Sequence, residues 1–357
     1  MSQRTLAGII AVPLLLALWV AALWLPLPYV TYAPGVTVDV LGQESSDEII
    51  QVTGHRTYRD EGELRMTTVY VTQPGAHVGL LQVMEAWLSD EEAVYPYDTV
   101  YAPDETAEDA DLESAVQMVS SQDEAVAVAL EELGYQPRSV TKIQNVAKGM
   151  PADGGLQVGD ILRAVDGTPI KDPQEVAELI QRAPQGRPVA FGIERDGEEL
   201  TVRITPKEVD GTPRVGIVPG PGYRFPFGVH VNIDPKIGGP SAGLMFSLAI
   251  YDTLTPGSLT GDGVVAGTGT IAADGSVGRI GGIQQKIVGA RDAGAELFLV
   301  PPENCPDALG APNDEMRLVR AETMHDAVTA IQSWVEDPEM CARIIRDGDA
   351  AILGVGL

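Results

Sequence analysis

Residues 236–246 read Lys-Ile-Gly-Gly-Pro-Ser-Ala-Gly-Leu-Met-Phe. The glycines permit a close approach of the backbone to a substrate, and Pro240 suits the first turn of a helix. The apolar run 244–250 then predicts a buried helix. Ser241 is expected at its N-terminus, where free N–H groups and the positive end of the helix dipole stabilise an oxyanion. The stretch predicts a nucleophilic serine or, alternatively, a Gly-Pro-Ser turn that only caps a core helix.

A serine nucleophile needs a base, and the sequence offers two candidates. His325 is the only histidine after Ser241, as the chain order of α/β-hydrolases requires, and it starts a surface helix for which Thr323 is a candidate cap. Lys286 is the only lysine after Ser241 and lies beside the apolar face of a helical segment, 280–291. Burial would lower its pKa and make a neutral amine available as a base. Alternatively, the side chain extends along the helix to water.

Four motifs occur in order at 238–243, 266–271, 278–286 and 293–301. Together they resemble the proteolytic domain of Lon-type serine peptidases. The resemblance implies that Ser241 is the nucleophile, that Lys286 is its general base and that Thr268 orients the lysine. The acidic residue that the family carries before the serine has only Asp234 as its nearest counterpart, a candidate acidic helper. The ATPase module of the family is missing.

The chemistry implied is acyl transfer to Ser241, with backbone N–H groups of the turn formed by Gly239, Pro240 and Ser241 holding the oxyanion. The sequence contains no phosphate-binding loop of the G-x-x-x-x-G-K-[ST] type and no H-E-x-x-H zinc motif. We therefore expect an endopeptidase that needs neither ATP nor a metal or other cofactor.

The 357 residues carry a net charge of −27, with an isoelectric point near 4.3. Such acidity makes nucleic acid an improbable partner but indicates nothing about the fold. Two cysteines, Cys305 and Cys341, lie close to the C-terminus. They are candidates for a disulfide in an oxidising compartment, the alternative being two unpaired thiols.

Residues Leu6 to Leu27 are almost wholly apolar, and Arg4 is the only charge before them. This length predicts a single-pass transmembrane helix, and the positive flank predicts that everything after Pro28 lies outside a bacterial cell membrane. A cleaved signal peptide is the alternative interpretation, although the apolar region is longer than is typical of such peptides.

Residues 138–208 show a second recognisable pattern. A strand is predicted at 139–143, a helix at 172–183 with Asp172 as N-cap and Pro173 at its first position, and a hairpin of strands 188–194 and 199–204 joined at Asp196 and Gly197. The pattern resembles a bacterial PDZ domain, which implies peptide binding by strand addition. Leu133, Gly134 and Tyr135 are the candidates for its carboxylate-binding loop, and a spacer without a ligand is the alternative.

The sequence thus predicts an α+β multidomain protein with an N-terminal transmembrane helix, a PDZ domain and a Lon-type α/β proteolytic domain. The predicted divisions are a cytoplasmic N-terminus and anchor (1–28), an extracytoplasmic region (29–137), the PDZ domain (138–208), a Pro/Gly-rich semi-rigid linker (209–226), the proteolytic domain (227–345) and a C-terminal tail (346–357).

This order resembles the membrane-anchored, PDZ-containing Lon-like serine proteases. The resemblance implies an ATP-independent endopeptidase that cuts exposed or unfolded protein segments at the outer face of the membrane, with recognition or regulation by the PDZ domain and self-association into homo-oligomers. The competing hypothesis is a non-catalytic adaptor whose PDZ domain binds membrane proteins while a degenerate peptidase fold serves as a scaffold.

Overall fold

The structure is a computed structural model that describes residues 3–336 apart from 45, 77, 185, 196 and 210. Its helices are α1 (Gln3–Trp24), α2 (Leu80–Leu88), α3 (Ala107–Glu132), α4 (Pro173–Arg182), α5 (Gly243–Leu254), α6 (Ile283–Asp292), α7 (Cys305–Ala308) and α8 (Met324–Glu336), with short 3₁₀ turns at Tyr97–Thr99 and Pro302–Asn304.

The strands are β1 (Tyr29–Asp39), β2 (Gln43–Glu44), β3 (Asp47–Glu48), β4 (Ile50–Thr53), β5 (Glu63–Val71), β6 (Ala93–Pro96), β7 (Arg138–Val146), β8 (Ile161–Val165), β9 (Thr168–Pro169), β10 (Val189–Arg195), β11 (Glu198–Ile204), β12 (Lys207–Val209), β13 (Thr212–Arg214), β14 (Ile217–Arg224), β15 (Gly228–Val231), β16 (Val264–Gly267), β17 (Thr270–Ile271), β18 (Val277–Gly278), β19 (Leu297–Val300) and β20 (Arg317–Arg320).

A mixed six-stranded sheet forms the centre of what we call the main unit, residues 29–132 and 228–336. Its strand order is β20-β19-β16-β5-β1-β6, parallel from β20 to β5 and antiparallel from β5 to β6. Along β19, Leu297 and Leu299 face a core shared with α3, α5 and α8, whereas Phe298 and Val300 face a core shared with α6 and α7. Helices therefore cover both faces of the sheet, as the continuous apolar run of β19 requires.

Helix α5 confirms the buried helix predicted after Ser241. Every residue of this helix except Tyr251 is buried, and Phe246 is among the largest fully buried side chains. The helix lies between the sheet and α3, so its N-terminal turn is held from two sides.

Most of the region predicted as an extracytoplasmic N-terminal region, 29–137, is part of the main unit. Strands β1, β5 and β6 belong to the same sheet as β16, β19 and β20, and α3 packs against α5. The pairing of β5 with β16 joins segments about 200 residues apart, as Met66 with Gly267 illustrates. Local sequence patterns carry no signal for such a long-range pairing.

Residues 138–224 form a second unit, here called the insert unit, around its own apolar core. Its sheet has the order β11-β10-β8-β7-β14, and α4 packs on it. Helix α4 begins as predicted, because the carboxylate of Asp172 accepts the N–H of Gln174 at 2.8 Å and Pro173 occupies the first position. The hairpin of β10 and β11 is also confirmed, although Asp196 lies outside the described residues.

The prediction of a semi-rigid linker at 209–226 is wrong. Most of this segment is β-structure: β12 and β13 form a hairpin, and β14 pairs with β7 along its whole length. Pro219 and Pro221 are compatible with the strand because they lie on the edge strand of the sheet, where a missing N–H costs no ladder bond if it faces away from β7.

The prediction of a transmembrane anchor at Leu6 to Leu27, and with it the localisation in a membrane, is wrong. None of the helices in the described part of the chain is long and apolar enough to cross a membrane. Cys341 and the predicted tail lie outside the described residues, so the disulfide to Cys305 stays a prediction.

Substitution of Leu64 tests whether the N-terminal strands are integral to the main unit. Leu64 lies on β5 with 0% of its surface exposed, so Leu64→Ala should lower the free energy of unfolding by about 2–5 kcal/mol. Leu81→Ala, on α2 with 64% exposure, is the matched control and should change it by less than about 0.5 kcal/mol. Denaturant unfolding followed by circular dichroism measures both, and equal small effects would contradict this architecture.

Candidate active site

Ser241 lies in the turn that leads into α5. Gly239 adopts a left-handed conformation with φ of +86°, which favours glycine, and α5 begins two residues after Ser241, at Gly243. The carbonyl of Ser241 accepts the N–H of Gly269 at 2.8 Å and the hydroxyl of Thr268 at 3.0 Å. The turn is thereby attached to the loop that follows β16.

Two further glycines let α3 approach this turn. A Cβ at Gly238 would lie 2.1 Å from Oγ of Ser114, and one at Gly243 would lie 2.8 Å from Oγ of Ser121. A side chain at either position would collide with a serine of α3, and one at Gly243 would also collide with Ile271. These two glycines of the motif therefore serve helix packing, beside any role toward a substrate.

Lys286 reaches the same place from the other face of the sheet. It lies in the first turns of α6, which packs against β1 and β5, and only 2% of its surface is exposed. Its Nζ is 2.8 Å from Oγ of Ser241 and donates to Oγ1 of Thr268 at 3.1 Å and to the carbonyl of Thr67 at 3.0 Å. The three sequence candidates Ser241, Lys286 and Thr268 thus meet within hydrogen-bond distance.

Burial lowers the pKa of Lys286 to about 7. Taking an ammonium out of water disfavours its charged form, so the neutral amine becomes accessible near neutral pH. The surroundings suit that neutral form, since it has two N–H donors and one lone pair. The Thr67 carbonyl accepts one N–H of the amine. The Thr268 hydroxyl accepts the other, because its own proton is donated to the Ser241 carbonyl. The lone pair of the amine is then available to accept the proton of the Ser241 hydroxyl.

Sequence reasoning missed three contributors to this arrangement. Thr67 contributes only a backbone carbonyl from strand β5, which no residue pattern could identify. Ser114 and Ser121 lie on α3, and their contacts with the turn arise from the packing of α3 on α5. In the sequence, only the closely spaced glycines of the motif indicated that another element packs closely against the turn.

The predicted oxyanion donors are only partly available. Pro240 has no N–H, and the N–H of Gly239 donates to the carbonyl of Ser114 at 3.0 Å. Among the described contacts of this turn, the N–H groups of Ser241 and Ala242 donate to no acceptor. Of the turn predicted to hold an oxyanion, Gly239 to Ser241, only Ser241 thus has an N–H without an acceptor in the described contacts, and its role stays a prediction.

A cavity of about 320 Å³ opens beside Ser241 and Lys286. Its wall combines polar and charged side chains, among them Thr68, Tyr70 and Lys236, with apolar ones, namely Val36, Met66, Val69, Met118, Ile237 and Ala242. Asp234 also lines it, but the Asp234 carboxylate accepts the N–H of Lys236 at 2.9 Å, and no bond from it to Ser241 or Lys286 is among the contacts of the described residues. Over those residues, too, no group of three or more His, Cys, Asp or Glu side chains is placed to hold a metal.

His325, the alternative base, lies elsewhere. Its side chain is 71% exposed and its Nδ1 is 2.7 Å from a carboxylate oxygen of Glu132. That hydrogen bond raises the pKa of His325. Thr323 caps α8 as predicted, accepting the N–H of Asp326 at 3.1 Å. The structure thus brings Lys286, and not His325, to Ser241.

In the insert unit, β14 is an edge strand that pairs with β7 on one side, with α4 beside it. Alternate residues face β7: the Gly216 carbonyl accepts the N–H of Ala147 at 2.8 Å, whereas the Tyr223 N–H points away and donates to Asp123 at 2.7 Å. The register with β7 shifts between Val218 and Pro219, so alternation is counted from each end of β14. Counted from Tyr223 it places 221 and 219 on the outer edge, and counted from Gly216 it places 217 there. Two of these residues, Pro219 and Pro221, have no N–H to donate.

Leu133, Gly134 and Tyr135 do not lie at this edge. They end α3, and the rings of Tyr135, His55 and Phe227 contact one another in the main unit. Gly134 is left-handed with φ of +85°, as a glycine after a helix commonly is. Their assignment to a carboxylate-binding loop is therefore wrong, because they pack against the other core.

Two protein-family models match parts of the chain, one in each unit. Residues 142–195 match the PDZ domain, and residues 227–333 match the Lon protease (S16) C-terminal proteolytic domain. The second match points to a peptidase. Together the two matches fit a protein that acts on protein or peptide substrates.

Individual relatives share short regions with this chain. The Lon protease of Paraburkholderia phytofirmans is 37% identical over 110 residues, which are 29% of this chain and 13% of that protein. The chloroplastic membrane metalloprotease ARASP of Arabidopsis thaliana is 37% identical over 77 residues, 20% of this chain and 17% of that protein. The chain spans about a quarter or less of the length of the curated relatives it matches. Among solved structures, the PDZ domain of the SdrC-like protein from Listeria innocua is 26% identical, covering 22% of this chain and 92% of that one with a TM-score of 0.21.

Proposed function

We propose that this chain is a serine endopeptidase that cleaves exposed or unfolded protein segments without ATP, using Ser241 as nucleophile and Lys286 as general base. One observation carries the proposal: Nζ of Lys286 lies 2.8 Å from Oγ of Ser241 while its side chain is buried. A buried amine with a lowered pKa next to a hydroxyl is the arrangement that activates a serine. The match to a Lon-type proteolytic domain supports the same reaction class.

In the first step, Oγ of Ser241 forms a bond to the scissile carbonyl carbon as its proton passes to Nζ of Lys286. The new ammonium then has three N–H groups, and the carbonyl of Thr67 and the hydroxyl of Thr268 already accept two of them. The third points back toward the reacting atoms. The N–H of Ser241 donates to the oxyanion.

In the second step, the C–N bond breaks and Lys286 gives its proton to the leaving amine, which produces an acyl-serine and restores the neutral base. A water molecule then loses a proton to Lys286 and attacks the acyl carbon. Return of that proton to Oγ of Ser241 releases the carboxylic acid. The lysine thus acts as base and acid in turn, which a pKa near 7 permits.

Removal of either dyad residue should abolish cleavage. With β-casein as a disordered substrate and no ATP, Ser241→Ala and Lys286→Met should each lower kcat by at least about 10³-fold, since either leaves the serine unable to attack. Lys207→Met, an exposed lysine of β12, is the matched control and should retain full activity. Full activity of Lys286→Met would contradict the dyad, and so would loss of activity in His325→Ala. A wild-type chain that captures peptides without turnover would favour the adaptor hypothesis.

The rate should rise with pH through about 7. Below that value Lys286 is protonated and cannot accept the serine proton, whereas above it the neutral amine predominates. The profile of kcat/KM against pH measures this midpoint. His325→Ala should leave the midpoint unchanged, which distinguishes Lys286 from His325 as the titrating group. A flat profile between pH 5.5 and 8.5 would contradict the assignment.

We propose further that the insert unit recruits substrates through the outer edge of β14. On this edge few backbone groups are free to bond a peptide. Pro219 and Pro221 have no N–H. The Pro221 carbonyl accepts from Gln144 at 3.1 Å, and the Tyr223 N–H donates to Asp123. Ile217 and the Pro219 carbonyl remain. A peptide that adds to this edge antiparallel to β14 would have its C-terminal end beside Gly216. Because the open backbone groups lie near that end of β14, we expect the edge to bind the last residues of a chain rather than a long internal strand.

Replacement of one edge proline tests this surface. In the Ser241→Ala background, Pro219→Ala adds an outward N–H and should tighten binding of randomised hexapeptides with free carboxyl ends by about 2- to 10-fold, the value of one hydrogen bond. Fluorescence anisotropy measures the affinity. Pro213→Ala, in the β13 hairpin, is the matched control and should have no effect. Equal binding of the same peptides when extended at their C-termini would contradict recognition of chain ends.

A further inference from the structure

Helix α3 contacts two peptide units of the turn before Ser241, the Gly238–Gly239 unit and the Pro240–Ser241 unit. The carbonyl of Ser114 accepts the N–H of Gly239 at 3.0 Å, and the hydroxyl of Ser121 donates to the carbonyl of Pro240 at 2.9 Å. Ser121 is 2% exposed, so this bond is shielded from water. A serine inside a helix commonly bonds to a carbonyl of its own preceding turn, whereas this hydroxyl is directed out of the helix.

The second of these bonds determines the direction of the oxyanion donor. The carbonyl of Pro240 and the N–H of Ser241 belong to one planar trans peptide unit, so they point in opposite directions and rotate together. The bond from Ser121 therefore orients the N–H of Ser241, which donates to no acceptor in the described contacts of the turn. The Ser121 hydroxyl bonds to the carbonyl on one side of this peptide unit and thereby fixes the direction of the N–H on its opposite side.

The other contacts of the turn do not replace this bond. The Pro240 carbonyl also accepts the N–H of Gly243, but at the longer distance of 3.3 Å. The bonds from Thr268 and Gly269 reach the carbonyl of Ser241, which belongs to the following peptide unit. Ser121 is thus the side chain that holds the unit carrying the oxyanion donor.

We infer that Ser121 is a positioning residue for the reaction, acting through the Pro240–Ser241 peptide unit and touching no substrate atom. The inference rests on the proposed function. It predicts a specific kinetic defect, because a misdirected oxyanion donor weakens transition-state stabilisation and leaves substrate binding and the Ser241–Lys286 contact in place.

The test uses the full chain and β-casein cleavage without ATP. Ser121→Ala should lower kcat by about 10- to 100-fold, less than the loss of a whole oxyanion donor, while KM stays within about twofold and the pH midpoint stays near 7. Ser121→Cys keeps the shape of the side chain with a weaker donor and should give an intermediate kcat. Ser120→Ala, the adjacent serine of α3, is the matched control and should match the wild type.

Labelling of Ser241 by a serine-reactive phosphonate gives an independent rate, which should slow in the same order. Thermal unfolding establishes that each variant is folded at the assay temperature. Unchanged kcat in Ser121→Ala, or a rise in KM alone, would overturn the positioning role while the proposed function stands. If the wild-type chain neither cleaves β-casein nor reacts with the phosphonate, both the proposed function and the positioning role of Ser121 are contradicted.

Discussion

The buried amine of Lys286 is the constraint on which the rest of the main unit depends. An ammonium in an apolar interior is costly, and even a neutral amine needs partners for two N–H groups and a lone pair. The fold supplies these partners from three separate segments: a backbone carbonyl of β5, the hydroxyl of Thr268 after β16 and the hydroxyl of Ser241 before α5. Each must lie within about 3 Å of one nitrogen, which leaves the sheet and the helices little freedom to shift.

That requirement explains why strands so distant in the chain form one sheet. β5 provides the Thr67 carbonyl only because it pairs with β16, and α6 can bury Lys286 only because β1 and β5 extend the sheet beneath it. Helix α3 adds a third layer over α5 and reaches the nucleophile turn through Ser114 and Ser121. The N-terminal third of the chain is therefore a structural part of the candidate site.

The insert unit interrupts the main unit between α3 and β15. Its two ends lie close to elements that contact the site, and one partly buried group links the units directly: Asp123 on α3 accepts from the Tyr223 N–H of β14 and from Lys142 of β7 at 2.5 Å. Asp123 lies two residues after Ser121 on the same helix. The edge proposed for peptide recognition and the nucleophile turn thus share one helix.

The sequence by itself determined the elements whose residues carry local signals. The apolar run after Ser241 specified a buried helix, Asp172 and Pro173 specified the start of α4, and the four glycine-rich motifs indicated a Lon-type domain. Local patterns misled at the prolines of β14, because a proline in an edge strand looks locally like a proline in a linker, and at the N-terminal apolar run. Only the tertiary structure decided which groups surround the amine of Lys286, which amide of the turn remains open and which helix holds it. These are properties of contacts between residues far apart in the chain, and they depend on backbone carbonyls and N–H groups that nearly every residue possesses alike.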